Sequence, residues 1–298
     1  MTEKIGFIGL GHMGLPMAKH LLDAGHRVRG YDINPEALEA FSLEGGQPCD
    51  NIPSTVQDAE VVITMLPEGK HVREVYDGPQ GIFKNITPET RIAECSTIDI
   101  ETARYIHDEA DKKGFKLIDA PVSGGVSGAE AATLTFMIGG REEDFTALRP
   151  LLEKLGRTLI YCGGPGLGQA AKICNNLILG ITMIGVCEAF NLAEKLGLDM
   201  NTFFEVTSQS SAQCWSITKY CPVPGPVPTS PANRDYVAGF TAAMMMKDLK
   251  LAAQAATLTE NADPLGAEAL SLYTLFCNSG GQALDFSGII KFLKEKDR

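Results

Sequence analysis

The first half of the chain alternates short apolar runs with segments whose apolar residues recur at helical spacing. Strand-like runs cover residues 5–8, 28–31, 60–67 and 90–97, and three more lie in "FKLIDAPVSGG", "TLTFMIGG" and "TLIYCGG". Short apolar runs bounded by glycine or proline are typical of buried strands. Strands that alternate with helices predict a largely parallel, doubly wound α/β sheet.

The second half has a different pattern. No proline occurs between Pro165 and Pro222, and the residues after Gly168 are mostly apolar or small. Residues 168–196 therefore predict one helix of about 29 residues, roughly 43 Å long. The composition changes near Gly163 and Gly164, where we predict a domain boundary.

Bulk composition agrees with two globular domains. The chain has 298 residues, of which 44% are hydrophobic and 21% charged, values typical of soluble proteins. A formal net charge of −11 argues against nucleic acid and anionic membranes as partners. The longest apolar stretch, residues 177–187, is expected to be too short to span a bilayer.

Cysteine and histidine usage limits the chemistry. Eight cysteines are scattered without a CxxC pair, which favours free thiols in a reducing compartment. The first residues run directly into a strand, without a secretory or amphipathic leader. We therefore expect a cytoplasmic protein, although a processed organellar protein could look similar. All five histidines precede residue 108 and none are paired at ligand spacing, so we expect no metal.

A glycine-rich turn joins the first strand to the first helix. Gly9, Gly11 and Gly14 form GxGxxG, with His12 and Met13 between the last two glycines. This position predicts a Rossmann dinucleotide site, in which Gly9 allows the tight turn and Gly11 lets the pyrophosphate approach. Gly14 lets helix and strand pack, and the helix N-terminus faces the phosphates. The alternative is a turn without a ligand.

Residues at the ends of later strands extend this site. Asp32 follows the second strand, where a carboxylate can accept hydrogen bonds from the ribose and repel the 2′-phosphate of NADP. Residues 33–35 (Ile-Asn-Pro) supply no arginine, so NAD is the expected cofactor. The alternative for Asp32 is a turn or helix cap. Leu66, Pro67 and Thr97 follow two further strands and are predicted nicotinamide contacts.

Ser123, Gly124 and Gly125 follow another strand. Consecutive backbone N–H groups in a glycine-rich turn, with a serine hydroxyl beside them, can bind a carboxylate. From these residues alone, a plain turn and an anion site both remain open.

Lys172 lies in the first turns of the long predicted helix. The helix dipole disfavours a cation there by roughly 0.3–1 kcal/mol, and burial would lower the lysine pKa further. Gly168, Lys172, Asn175 and Asn176 share one helix face, where the glycine could leave space for a small polar molecule. The alternative is a surface lysine with a buried stem.

Four motifs together carry a family resemblance. In order and spacing, "GLGHMG", "DAPVSGG", "GQAAKICNN" and "KDL" resemble the β-hydroxyacid dehydrogenase family over nearly the whole chain. The resemblance implies a Rossmann domain over 1–163, a connecting helix over 164–196 and an all-α domain over 197–298. The last domain would serve substrate binding and assembly into a homodimer or homotetramer.

The same resemblance implies roles for individual residues. Lys172 would be the catalytic acid/base, with Asn176 holding the substrate beside it. Residues 123–125 would bind the substrate carboxylate, and Lys247 would lie near the cofactor. The expected substrate is thus a small 3-hydroxy carboxylate.

Residues 214–240 form a long predicted loop with five prolines between 222 and 231, and loops of this length are usually functional. The loop resembles that of the family branch that oxidises 3-hydroxyisobutyrate. Phe240 would be an apolar wall for the substrate methyl group, while Trp215 fits a core position or the pocket. Alternatives are reduction of a related small semialdehyde, glyoxylate or tartronate semialdehyde on the same scaffold, and a non-catalytic NAD-binding module.

Overall fold

The computed structural model describes residues 2–294. The chain divides between Lys172 and Ile173 into two compact units. The predicted domain limits at 163 and 196 stay predictions.

The first unit is built on one mixed sheet. Its nine strands, within the described residues, are β1 (Lys4–Ile8), β2 (Arg27–Tyr31), β3 (Gln47–Pro48), β4 (Val61–Thr64), β5 (Arg91–Glu94), β6 (Lys116–Asp119), β7 (Val122–Ser123), β8 (Leu134–Gly140) and β9 (Gly156–Gly163). Its helices are α1 (Gly14–Asp23), α2 (Pro35–Leu43), α3 (Ile52–Val56), α4 (Gly69–Asp77), α5 (Ile100–Lys113), α6 (Gly125–Glu130) and α7 (Glu142–Leu152).

The sheet order confirms the doubly wound, Rossmann-type fold. Strands β3-β2-β1-β4-β5-β6 are all parallel, whereas β8 runs antiparallel to β6 and β7, and β9 is parallel to β8. All four residues of β4 are buried, as expected for a parallel strand covered on both faces. The carboxyl ends of β1, β4 and β5 therefore meet at one edge of the sheet.

The secondary structure of the second unit is mainly helical, and its described residues form no strand, which confirms the predicted all-α region. The long helix α8 (Leu167–Lys195) begins in the first unit and continues into the second. It is followed by α9 (Met200–Gln209), α10 (Trp215–Thr218), α11 (Ala242–Leu258), α12 (Pro264–Phe276) and α13 (Ile289–Leu293).

Helix α8 has 29 residues and differs from the prediction by one residue at each end. Its length and mean hydropathy of 1.6 would suffice to cross a membrane. The expectation that the longest apolar stretch is too short to span a bilayer is therefore wrong for the whole helix. The same test is passed by core helices of soluble proteins. Met183, Cys187 and Phe190 are indeed buried in the core of the second unit.

Candidate active site

The glycine turn between β1 and α1 has the geometry that dinucleotide binding needs. Gly9 has a φ of +95°, and a Cβ added there would lie 2.2 Å from the carbonyl oxygen of Met65. A Cβ on Gly14 would lie 1.8 Å from the carbonyl oxygen of Gly9. By contrast, a Cβ on Gly11 would meet nothing within 4 Å. The turn is thus tightly packed inside and open at Gly11, which fits close approach of a pyrophosphate.

Two predicted cofactor residues lie where α1 begins. His12 is exposed, and Met13 is half-buried as the residue before the first turn. Their contact with the cofactor stays a prediction.

Asp32 is joined to the glycine turn. Its Oδ2 accepts a hydrogen bond from the N–H of Leu10 at 2.7 Å, and its Oδ1 accepts one from the N–H of Asn34 at 2.8 Å. The capping residue of α2 is Asn34, whose side chain accepts from the N–H of Glu36. Asp32 is therefore not itself the helix cap, and it lies beside the glycine turn, where the ribose of a bound dinucleotide would fit.

The ends of β4 and β5 come together as expected. The N–H of Leu66 donates to Oγ of Ser96 at 2.8 Å. Pro67, which is exposed, and Thr97, which is half-buried, each lie one residue further along. The structure thus places the three predicted nicotinamide contacts at one corner, and their role stays a prediction.

A buried carboxyl group that the sequence analysis missed lies under this corner. Glu94 is fully buried, and its Oε1 accepts a hydrogen bond from the N–H of Ser96 at 2.8 Å. Burial, with a smaller contribution from the charge of Asp119, raises the pKa of Glu94 to about 8. Such a group is mostly neutral at pH 7. The signal was visible as a glutamate inside the apolar run "RIAEC".

The turn at residues 123–125 is present. Ser123 ends β7 and pairs with Thr135 of β8. Gly124 and Gly125 have φ of +139° and +63°, conformations that other residues rarely adopt. Carboxylate binding by this turn stays a prediction.

Lys172 is buried, with only 7% of its surface exposed, so the alternative of a solvated surface lysine is wrong. The expectation for Gly168 is also wrong. A Cβ on Gly168 would lie 2.4 Å from the carbonyl oxygen of Met137 and 2.7 Å from Oδ2 of Asp119. This glycine lets α8 pack on the sheet and leaves no room for substrate.

Within the second unit, Asn176 is 1% exposed and held by two side chains. Its Nδ2 donates to Oδ2 of Asp248 at 2.5 Å, and its Oδ1 accepts from Nδ2 of Asn175 at 2.9 Å. Nζ of Lys247 lies 3.3 Å from the other Asp248 oxygen, near enough for an ion pair but not aligned for a hydrogen bond. Asp248 is the aspartate of "KDL" but was not among the predicted site residues.

Phe240, the predicted substrate wall, is half-buried at the end of the proline-rich loop. Its N–H and that of Gly239 donate to Oδ2 of Asp285, at 3.2 and 3.0 Å. The hydroxyl of Tyr220, near the start of the loop, donates to the same oxygen at 2.8 Å. The buried Asp285 carboxylate thus accepts hydrogen bonds from residues near both ends of the loop.

Trp215 is not a core residue. It is 48% exposed and stacks on Tyr220 with a ring centroid distance of 4.7 Å. Of its two open interpretations, the core position is wrong, and a role in the pocket stays a prediction.

Metal and disulfide chemistry find no support in the part of the chain that the structure describes. No group of three or more His, Cys, Asp or Glu side chains there is placed to hold a metal ion. All eight cysteines are free thiols.

Comparison with known proteins gives two family models that follow one another along the chain. The NAD-binding domain of 6-phosphogluconate dehydrogenase matches residues 4–164. The NAD-binding domain of NADP-dependent 3-hydroxyisobutyrate dehydrogenase matches residues 166–293.

Full-length relatives agree with these models. The 3-hydroxyisobutyrate dehydrogenase of Pseudomonas aeruginosa is 45% identical over 299 residues, covering 100% of both chains. The mitochondrial 3-hydroxyisobutyrate dehydrogenase of mouse is 41% identical over 98% of this chain and 88% of its own. The solved structure of the Mycobacterium tuberculosis 3-hydroxyisobutyrate dehydrogenase with L-serine superposes with a TM-score of 0.95 at 45% identity, covering 99% of this chain and all of that one.

These matches confirm an oxidoreductase with NAD(P)-binding domains. Together with the Rossmann sheet, the open glycine turn and the buried lysine of α8, they establish the relationship. The chain belongs to the 3-hydroxyisobutyrate dehydrogenase family, the branch of the β-hydroxyacid dehydrogenases that its sequence resembles.

Proposed function

We propose that the chain oxidises 3-hydroxyisobutyrate to methylmalonate semialdehyde with NAD, a step of valine catabolism. The choice of substrate is supported by relatives of that name at 41–45% identity. The observation that carries the chemistry is the buried Lys172 near the start of α8. An amine shielded from water at this position can exchange a proton with a bound substrate hydroxyl, as a general base must.

Substrate binding and proton transfer fall to different residues. The N–H groups of residues 123–125 hold the substrate carboxylate, and neutral Lys172 takes the proton of the substrate hydroxyl. NAD, held by the glycine turn and Asp32, would supply the hydride acceptor. The carbinol carbon would give up its hydride as the hydroxyl gives up its proton, so that one C–H and one O–H bond are lost and the C–O bond becomes C=O. In the reverse direction, protonated Lys172 returns the proton to the carbonyl oxygen.

The preference for NAD is supported by Asp32. Hydrogen bonds from Leu10 and Asn34 hold its carboxylate beside the glycine turn. A fixed negative charge there repels the 2′-phosphate of NADP while it accepts hydrogen bonds from ribose hydroxyls.

We further propose a homodimer or homotetramer in the cytoplasm. Assembly is supported by large apolar side chains exposed on the second unit, such as Ile178 at 63% and Leu265 at 66%. The compartment is supported by the eight free thiols. Light scattering after size exclusion tests assembly, and cell fractionation tests location.

The substrate experiment is a panel of initial rates for the purified protein. NADH or NADPH formation is measured with 3-hydroxyisobutyrate, 3-hydroxypropionate, 4-hydroxybutyrate, glycerate and serine, each with NAD and with NADP. We expect the highest kcat/KM for 3-hydroxyisobutyrate with NAD. Because one methyl group changes binding by roughly 1–3 kcal/mol, 3-hydroxypropionate should be at least about tenfold poorer.

Faster turnover of another acid would move the substrate elsewhere among the small hydroxy acids. Absence of turnover, in a protein that binds NAD by calorimetry, would instead favour a binding module.

A further inference from the structure

The carboxylate of Asp119 holds the first turn of the helix that carries Lys172. Asp119 is fully buried at the end of β6. Its Oδ1 accepts from the N–H of Gly166 and its Oδ2 from the N–H of Gln169, both at 2.9 Å. Nε2 of His107 lies 2.9 Å from Oδ1. A buried charge is tolerated when such donors surround it.

The surrounding backbone leaves space for this carboxylate. A Cβ on Gly139 of β8 would lie 2.5 Å from Asp119 Oδ1, and one on Gly168 would lie 2.7 Å from Oδ2. Any larger residue at either position would collide with the carboxylate. Glycines on β8 and on α8 therefore make room for the Asp119 carboxylate.

A second, independent contact fixes the same turn. The side chain of Gln169 is fully buried. Its Nε2 donates to the carbonyl oxygen of Ser96 at 2.7 Å, and its Oε1 accepts from the N–H of Ile98 at 3.1 Å. The start of α8 is thus tied to the ends of both β5 and β6, three residues before Lys172.

We propose that Asp119 is a positioning residue for the reaction, acting through the backbone of α8 on the location of Lys172, with Gln169 as its partner. The proposal rests on the proposed role of Lys172 as acid/base. A displacement of about 1 Å at a catalytic group can cost about 10²-fold in rate. Both contacts restrain the backbone, so they fix the lysine without touching substrate or cofactor.

A double-mutant cycle on kcat tests this proposal. Each oxygen of the Asp119 carboxylate accepts a hydrogen bond from a backbone N–H. In Asp119→Asn, one oxygen becomes an NH₂ group, so that two donors face each other. In the otherwise wild-type protein we expect kcat to fall about 10–100-fold, while the Kd for NAD changes by less than about twofold. Lys172→Ala alone should lower kcat roughly 10²–10⁴-fold.

The decisive comparison is Asp119→Asn in the Lys172→Ala background. If Asp119 acts through Lys172, the further loss there is expected to be less than about twofold. An equal loss in both backgrounds would mean a merely structural role and overturn the proposal. Normal turnover of Lys172→Ala would overturn the assignment of the lysine and the inference together.

Two further variants keep the result interpretable. Gln169→Met fills the same space without the three side-chain hydrogen bonds to Ser96, Ile98 and Glu94. It should therefore show the same non-additivity with Lys172→Ala if Asp119→Asn fails to fold. Asp199→Asn removes a charge at the cap of α9, where Oδ1 accepts from the N–H of Thr202. This matched control should leave kcat unchanged.

Discussion

At the scale of single residues, buried carboxyl groups organise the molecule. Asp119 and Asp285 are satisfied by neutral or imidazole donors, whereas Asp248 lies between an amide and a lysine. Glu94 accepts hydrogen bonds from the N–H of Ser96 and from the side chains of Thr64 and Gln169, but the effect of burial is larger and raises its pKa. Each case follows the rule that a buried charge must be hydrogen-bonded, paired or neutralised.

Glu94 should make folding stability depend on pH. Its folded pKa of about 8 lies above the ordinary value of 4.5, so between these values the folded state binds a proton that the unfolded state has lost. Stability therefore falls as pH rises from about 5 to 8, by at most roughly 1.4 kcal/mol per pH unit. The side chain of Glu94→Gln is neutral at every pH, so this variant should lack the slope. Its free energy of unfolding relative to wild type should therefore increase towards pH 8.

The measurement is urea unfolding of wild type and Glu94→Gln at pH 6, 7 and 8. Glu143→Gln, at an exposed glutamate of α7, is the control for removal of one charge. Parallel stability curves for wild type and Glu94→Gln would contradict the raised pKa.

Sequence reasoning found the residues whose type and spacing signal a role, and missed those whose role depends on burial. Gly9, Gly11, Asp32 and Lys172 stand in recognisable patterns. Asp119 begins the motif "DAPVSGG", but the motif does not show that its carboxylate is buried against α8. Asp285 stands in none of the four motifs. Gly168 was misassigned for a related reason, because helical periodicity tells which residues share a face but not what that face contacts.

At the scale of elements, the presence of the strands and the parallel direction of most of them were predictable, and the reversal of β8 was not. The absence of proline and the apolar, small composition located α8 to within one residue at each end. The reversal of β8 relative to β6 was missed because an apolar run such as "TLTFMIGG" looks the same in either direction. Direction is set by the short path through β7 and α6, which returns the chain along the strand it has just left.

The proline-rich loop depends on Asp285, which accepts five hydrogen bonds from Tyr220, Gly239, Phe240 and Ser287. In Asp285→Asn, an amide NH₂ replaces one of the two accepting oxygens and faces hydrogen-bond donors. We therefore expect a loss of about 2–3 kcal/mol in the free energy of unfolding. Because Phe240 is held by this carboxylate, the preference for 3-hydroxyisobutyrate over 3-hydroxypropionate should also fall, by about three- to tenfold.

Urea unfolding and the ratio of kcat/KM values measure the two effects. Tyr220→Phe removes one hydrogen bond and should cost only about 1 kcal/mol. A stable Asp285→Asn protein with unchanged selectivity would contradict the link between this carboxylate and the substrate wall.

At the scale of the whole molecule, each compact unit has its own hydrophobic core. The predicted cofactor residues lie mostly in the first unit. NAD at 100 times its Kd should stabilise the state that binds it by about 2.7 kcal/mol. In calorimetry we therefore expect NAD to raise the transition temperature of the first unit.

Gly11→Val is the matched control for this effect. A Cβ at this position meets no protein atom, so the variant should melt like wild type without ligand. Its side chain would occupy the approach of the pyrophosphate, so the NAD-dependent rise should disappear. A full NAD effect in Gly11→Val would place the cofactor elsewhere.

The anchoring of α8 also constrains how genes of this family can recombine. The contacts of Asp119 with α8 are made by backbone N–H groups of residues 166 and 169, which any parent without proline at these positions supplies. A crossover near residue 164, where the two family models meet, would therefore preserve that contact if the incoming parent has glycine at position 168. The side chain at position 169 would also come from the incoming parent. A crossover inside α8 would instead join the N-terminal part of the helix from one parent to the C-terminal part from another, so that the residues along one helix face would come from two parents. New substrate ranges should thus be easiest to acquire by exchanging the whole segment that begins with this helix.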